Sequence, residues 1–261
     1  PPPPQQGNSV AAYKYAYHFD ASRYAKFLRT YAEACGVIRI EGEIEQVHQS
    51  ADDGRLTHVQ LKSGACVDGD FFIDCSGFKS LLIGKALAVP YIDWRQWLPC
   101  DSALVAQCER TAEFVPYTIS TARAAGWQWR IPLQHRVGNG YVYASAYTDT
   151  ETVHNTFLNN LESEPLTAPR TLSFTTGHRR EFWKKNCVAL GLAGGFLEPL
   201  ESTSIQLIQT GLLRFLENFP TTRINEVAIA EYNRVTTNEY SRIRDFLILH
   251  YCTSKRDDND L

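Results

Sequence analysis

Three stretches of this 261-residue chain hold residue types spaced for chemistry. One runs Gly191-Leu192-Ala193-Gly194-Gly195-Phe196-Leu197-Glu198-Pro199-Leu200-Glu201-Ser202-Thr203-Ser204-Ile205. A buried strand at 187–192 delivers this Gly-rich loop, which opens a helix at Ser202, Thr203 or Ser204. A helix start presents unpaired N–H groups at a positive dipole end and so favours an anion. The pattern equally suits an ordinary strand–loop–helix with a Ser/Thr cap. A second stretch is the apolar run 71–74, which ends in Asp74-Cys75-Ser76-Gly77. Glycine there lets the backbone approach a nucleotide closely, or simply turns the chain. In the third, Gly126-Trp127-Gln128-Trp129-Arg130-Ile131-Pro132, strand alternation puts Trp127, Trp129 and Ile131 on one face. Two adjacent indoles can wall a cavity or fill a core.

Other chemistries find no support. The histidines (His18, His48, His58, His135, His154, His178 and His250) are scattered, without HxxH or HExxH spacing for a metal. No GxSxG elbow offers a nucleophilic serine. Asp257-Asp258-Asn259-Asp260 reads as a solvated acidic tail. A net charge of -3 gives no reason to expect nucleic acid or an anionic membrane as partner. No apolar run reaches the roughly 18 residues of a membrane span, and Pro1 to Gln6 is not a signal peptide. The seven cysteines lack CxxC spacing and read as buried, reduced thiols of a cytoplasmic protein.

The elements that must position these residues follow from periodicity. Residues 1–12 read as a disordered leader and 13–18 as strand-like. Asp20 or Ser22 can cap a helix whose apolar positions are Tyr24, Phe27, Leu28, Tyr31 and Ala32, ending at Gly36. A meander follows, with strands at 43–49, 57–61 and 66–67 and turns at Asp53-Gly54 and Ser63-Gly64. The run 71–74 suits a short strand covered on both faces. Further strands are expected at 103–108, 126–131 and 141–147, and helices at 151–163, 205–216 (stopped by Pro220) and 222–250. The chain contains no Met, and both of its ends look like cuts from something longer.

Taken together, the motifs resemble the flavin-dependent halogenases of the tryptophan halogenase family. Trp127-Gln128-Trp129-Arg130-Ile131-Pro132 matches the family's WxWxIP signature. Leu197-Glu198-Pro199-Leu200-Glu201-Ser202-Thr203 matches its flavin-side loop, and Phe71 to Gly84 is similar to its second flavin segment. Tyr17-His18-Phe19-Asp20-Ala21 and Leu249-His250-Tyr251 add weaker agreement, in the family's order over residues 13–258.

The resemblance implies a mixed α/β (α+β) fold of the FAD-dependent monooxygenase/halogenase type, incomplete here. It would have a flavin-side sheet, a substrate-side sheet and long C-terminal helices. Part of an FAD domain would occupy 13–99, the substrate-side sheet 100–185, and the flavin/halide loop with helices 186–261. The parent enzyme would use FADH2 from a separate flavin reductase, oxygen, and chloride or bromide to make hypohalous acid. That oxidant would halogenate tryptophan or a related indole or other aromatic. Ser76, Gly77, Leu192, Gly194, Gly195 and Ile205 would contact the cofactor. The N–H groups of Thr203 and Ser204 would hold halide, and Glu201 would act on the substrate ring. Trp127, Trp129, Ile131, Pro132 and Ser202 would wall the path between the two centres, keeping the substrate away from the flavin. Ser204 stands where the family usually has glycine, a costly change if the position needs φ > 0. The family's GxGxxG fingerprint and catalytic lysine have no match, and Lys14 does not fit the lysine's context. A homodimer, an inactive fragment and a hydroxylating FAD monooxygenase are further readings.

Overall fold

Asp20 is the cap that starts the first helix: its Oδ1 accepts the N–H groups of Ser22 and Arg23. The structure, a computed structural model, describes residues 16–111, 113–220 and 224–256. The expected leader, Lys14 and the acidic tail lie outside these residues. Residues 16–20 form no strand. Helix α1 (Ala21–Ala34) has the expected apolar spacing, but it buries none of its residues. Tyr24, Phe27, Leu28 and Tyr31 remain exposed, because no described element packs over them.

The meander forms as read: β1 (Ile44–Gln49), β2 (Leu56–Leu61) and β3 (Cys66–Asp68) make one antiparallel sheet. β4 (Phe72–Asp74) leads through a 3-10 turn at Gly77–Lys79 into a π-helical segment, Leu81–Ala86, and then β5 (Tyr91–Asp93). Next come β6 (Ser102–Cys108), β7 (Ile119–Arg123), β8 (Gly126–Pro132) and β9 (Val137–Tyr143). They are followed by α2 (Thr150–Leu158), β10 (Arg170–Ser173), β11 (Gly177–Arg179) and β12 (Trp183–Lys184). The chain then runs through β13 (Cys187–Ala189), β14 (Gly195–Phe196), α3 (Ser204–Glu217) and α4 (Glu226–Cys252).

Four sheets result among the described residues, ordered β1-β2-β3, β10-β6-β9-β8-β7, β14-β11-β5 and β12-β13-β4. Residues 102–143 and 170–173 therefore build a sheet of their own. One face buries Trp127, Val142 and Phe174, and on the other Leu104 and Tyr141 pack against Val153 and Phe157 of α2. The largest core lies between β12-β13-β4 and the helices α3 and α4, around Trp183, Phe215, Tyr232 and Leu247.

Several boundaries differ from the sequence expectation. The strand expected at 141–147 lies four residues earlier, because Gly138 and Gly140 hide its start. It ends at Tyr143, since the next N–H groups are taken by Ala125 O and Asp101 Oδ1. α2 stops at Leu158 rather than 163, and α4 starts at Glu226 behind the Asn225 cap. β4 is not covered on both faces: it pairs only with β13 at a sheet edge, and Ile73 is 45% exposed. All seven cysteines are free, but only Cys100, Cys108 and Cys187 are buried.

Asn186 joins the meander to the flanking sheet. Its buried amide donates to the carbonyls of Leu56 (2.8 Å) and Asp70 (3.0 Å) and accepts the Leu56 N–H (2.9 Å). Asn186→Asp puts a carboxylate oxygen against two carbonyls. An unpaired buried polar group costs about 1–3 kcal/mol and a charged one more, so the variant should lose roughly 3 kcal/mol. Urea unfolding checks this; a midpoint unchanged from wild type would remove Asn186 as the joint.

Candidate functional site: a crevice at the ends of two parallel strands

β4 and β13 run parallel, with Phe72, Ile73 and Asp74 opposite Cys187, Val188 and Ala189. Their carboxyl ends therefore release two loops side by side, the arrangement in which open α/β sheets form ligand crevices. The first loop is fixed by Asp74, which is fully buried. Its Oδ1 accepts the Ser76 N–H (2.9 Å) and hydroxyl (2.6 Å), and its Oδ2 accepts the N–H groups of Leu82 and Ile83 (both 2.9 Å). Ser76 Oγ in turn accepts the Leu81 N–H (2.7 Å). Gly77 sits at φ +69 with nothing within 4 Å of where a Cβ would stand. Its backbone is thus bare toward open space.

The second loop comes from β13 and is tied to the first. The Leu190 N–H donates to Asp74 O (3.0 Å), and the Ser80 hydroxyl donates to Ala193 O (3.0 Å). Between them opens a cavity of about 540 Å³, lined by Phe78, Tyr91, Asp93, Ser173, Phe174, Thr175, Arg179 and Leu192. Sequence reasoning missed Arg179. It donates to Val89 O (2.9 Å), lies over the Tyr91 ring, and keeps a buried Nε without a partner. Gly194 and Gly195 lie behind the cavity wall. A Cβ at Gly195 would stand 2.7 Å from His178 Cβ and 2.8 Å from Tyr240 Cε1, so this glycine serves close packing against β11 and α4.

Past β14 the loop carries Glu198 inward and Glu201 outward. Glu198 is 1% exposed, and its Oε1 accepts the Tyr251 hydroxyl at 2.5 Å. Its Oε2 and Trp127 Nε1 lack a bond of good geometry, yet the indole N–H and the Cys100 thiol both lie near enough to favour its charge. Burial outweighs them and raises the carboxyl above its usual range. Glu201 ends a 3-10 turn, Pro199–Glu201, and meets His250 Nε2 through Oε1 at 2.7 Å. Ser202 follows in the left-handed region at φ 53. Thr203 is the N-cap of α3 and its buried Oγ1 has no partner. Ser204 is the first helical residue and is not among the positive-φ positions, so the condition under which serine would be costly there is not met; Ser202 is the residue with positive φ.

The Trp pair faces this loop. Trp127 and Trp129 stand 5.8 Å apart and pack with Phe174, Phe196, Leu200 and Tyr251. Gly140, opposite Trp129 on β9, makes room for it: a Cβ there would lie 2.0 Å from Trp129 Cζ2. A glycine inside a strand facing a tryptophan is the signal that could have found it. Of the residues singled out, Ser76, Gly77, Leu192, Gly194 and Gly195 come together at the two loops. Glu201, Ser202, Thr203 and Ser204 continue from them, with Trp127 and Trp129 opposite. Ile205 is exposed on the first turn of α3, and Ile131 is half-buried. Pro132 sits at the far end of β8, beside a different cavity shared with His18, Phe27 and His135.

The family model for tryptophan halogenase matches residues 1–261. The chain belongs to the tryptophan halogenase family. It is 38% identical to tryptophan 6-halogenase SttH of Streptomyces toxytricini over 250 residues, 94% of this chain and 48% of that protein. It is 36% identical to tryptophan 7-halogenase RebH of Lentzea aerocolonigenes, over 94% of this chain and 47% of that one. Among solved structures, Xcc4156, a flavin-dependent halogenase from Xanthomonas campestris, superposes with a TM-score of 0.91 at 51% identity. That match covers 93% of this chain and 49% of the other. The mixed α/β halogenase fold is thus established, and the chain spans about half the length of the curated relatives it matches. No helix among the described residues is long and apolar enough to cross a membrane.

The buried Glu198 gives a pH test. A carboxyl whose folded value is raised contributes fully below its unfolded value, 4.5, and loses that contribution as pH rises through the folded value. As pH rises above about 5, the melting temperature of the wild type should therefore fall relative to that of Glu198→Gln. Parallel curves would mean that Glu198 is held as a charged carboxylate.

Proposed function

We propose that this chain supplies the flavin-facing crevice, halide loop and catalytic carboxylate of a flavin-dependent halogenase acting on tryptophan or a related indole. One observation carries the reading. The loop bearing Glu201 leaves the same parallel-strand ends that form the crevice, and passes under the Trp127–Trp129 pair. The residues fit FAD: an open cradle at Gly77, aromatic and apolar walls at Phe78, Tyr91 and Phe174, and the unpartnered Arg179 Nε suit a planar heterocycle with a polar edge. FAD held there would, once reduced by a separate reductase, give two electrons to oxygen, and the peroxide-level oxygen would take two more from chloride or bromide, leaving hypohalous acid and water.

The chain's own residues then divide the work. Ser76, Gly77, Leu192, Gly194, Gly195 and Ile205 form the cofactor side, Gly195 by letting the loop pack. Thr203 and Ser204 offer N–H groups at the start of α3 to halide. Trp127, Trp129, Ile131 and Ser202 belong to the wall that separates the cofactor from the aromatic substrate; Pro132, expected in it from the sequence, lies beside another cavity. Glu201 presents a carboxylate to the ring, stabilising its cationic form and accepting its proton. The region 13–99 with the loop of 186–261 serves the cofactor, and 100–185 serves the substrate.

The test uses the full-length protein with FAD, a flavin reductase, NADH, bromide, and tryptophan or indole, with product measured by mass spectrometry. Glu201→Gln should lower halogenation by roughly 10²-fold, the lower range for a positioned proton-transfer group. FAD affinity, followed by flavin fluorescence, should persist. Near-normal turnover of the variant would take Glu201 out of the mechanism.

A further inference from the structure

The last turn of α4 grips the loop twice. Tyr251 holds Glu198 through its hydroxyl, and His250, the residue before it, holds Glu201. Two consecutive helix residues thus meet two carboxyls three positions apart in the loop. The grip matters because Ser202, next to Glu201, is a non-glycine residue in the left-handed region. That conformation is disfavoured for a residue with a Cβ and persists only where surroundings enforce it.

The imidazole itself is fixed at both nitrogens. Nδ1 lies 2.8 Å from the Phe246 carbonyl, and the Phe246 ring stands edge-on at 4.7 Å and 90°. A carbonyl oxygen only accepts, so Nδ1 carries a proton and donates it. Nε2 is then the nitrogen left for Glu201, 2.7 Å from Oε1. The imidazole edge therefore sits directly against that carboxylate oxygen. Oε1 is thereby occupied, and Oε2 is the oxygen free to act.

We propose that His250 is a positioning residue for Glu201: anchored by the Phe246 carbonyl, it ties down Oε1 so that Oε2 is presented to the substrate. This rests on the halogenase reading for its chemistry, but the pairing can be tested without it. An exposed ion pair held by nothing else contributes little. Here the imidazole is anchored on its second nitrogen, and the neighbouring Tyr251 fixes the same loop.

Two measurements test it. In the full-length protein with FAD and a flavin reductase, His250→Ala should lower kcat for aromatic halogenation roughly 10-fold, below the 10²-fold that a gross misplacement can cost. KM for the aromatic substrate and for bromide should stay within about twofold. His250→Gln, whose amide can donate to Oε1, should recover at least about half of the lost rate. A normal rate in His250→Ala, a rise in both KM values, or a glutamine variant as poor as alanine would overturn the proposal. The second measurement is the imidazole ¹⁵N spectrum of His250: the Nε2 resonance should shift between the wild type and Glu201→Ala, while Nδ1 stays an N–H held by the Phe246 carbonyl. An unchanged spectrum would overturn the pairing whatever the activity. If the wild type releases no hypohalous acid, the halogenase reading fails, and the spectrum alone decides the role of His250.

Discussion

A single buried carboxylate organises the crevice. Asp74 has no solvent contact, and each of its oxygens takes two hydrogen bonds, all from Ser76 or from the N–H groups that open the π-helical segment. Burying a carboxylate is tolerable only when such donors are complete. That requirement sets the bend after β4, puts Gly77 at its positive φ, and aims the Leu81–Ala86 segment back over the meander core. The Asp74 carbonyl then takes the Leu190 N–H, so the residue that shapes the first loop also anchors the second.

Glu198 and Glu201 illustrate how environment separates two identical side chains on one loop. Glu198 points into the core beside Cys100, Trp127 and Tyr251, where burial favours its uncharged form. Glu201 lies at the surface of the loop and meets a histidine that other contacts already orient. Pairs of titratable groups in contrasting surroundings commonly divide structural from chemical work.

What was legible in the sequence was local. The strand-to-glycine turns at Gly77 and Gly194, the alternation of Trp127 and Trp129, and the long α3 and α4 patterns all carry their signal within a few residues. The structure departs where the deciding partner is far away in sequence. β5, β12 and β14 are only two or three residues long, defined by their neighbours in the sheet rather than by periodicity. The start of β9 was hidden by Gly140, which is glycine because Trp129 lies across it. The Gly195 backbone reads as a ligand approach in sequence, but its crowding by His178 and Tyr240 is visible only in three dimensions. Tyr251 and His250 lie some fifty residues from the carboxyls they hold, and no spacing rule reaches that far.

The parallel pairing of β4 with β13 also bears on the order of assembly. Phe72 and Cys187 are partners, yet the whole five-stranded sheet from Ser102 to Ser173 lies between them in the chain. Such a contact carries a large loop-closure cost that is met only once the intervening segment has condensed. The hairpins β1-β2 and β8-β9 can form from neighbours as they emerge, whereas the crevice has no complete wall until residue 187 arrives. The cavity is therefore among the last features to be built, and a ligand cannot template the early steps of folding. A slow or faulty intervening sheet would leave β4 with an open edge, and its penalty would fall on the yield of folded protein rather than on the chemistry of the molecules that finish.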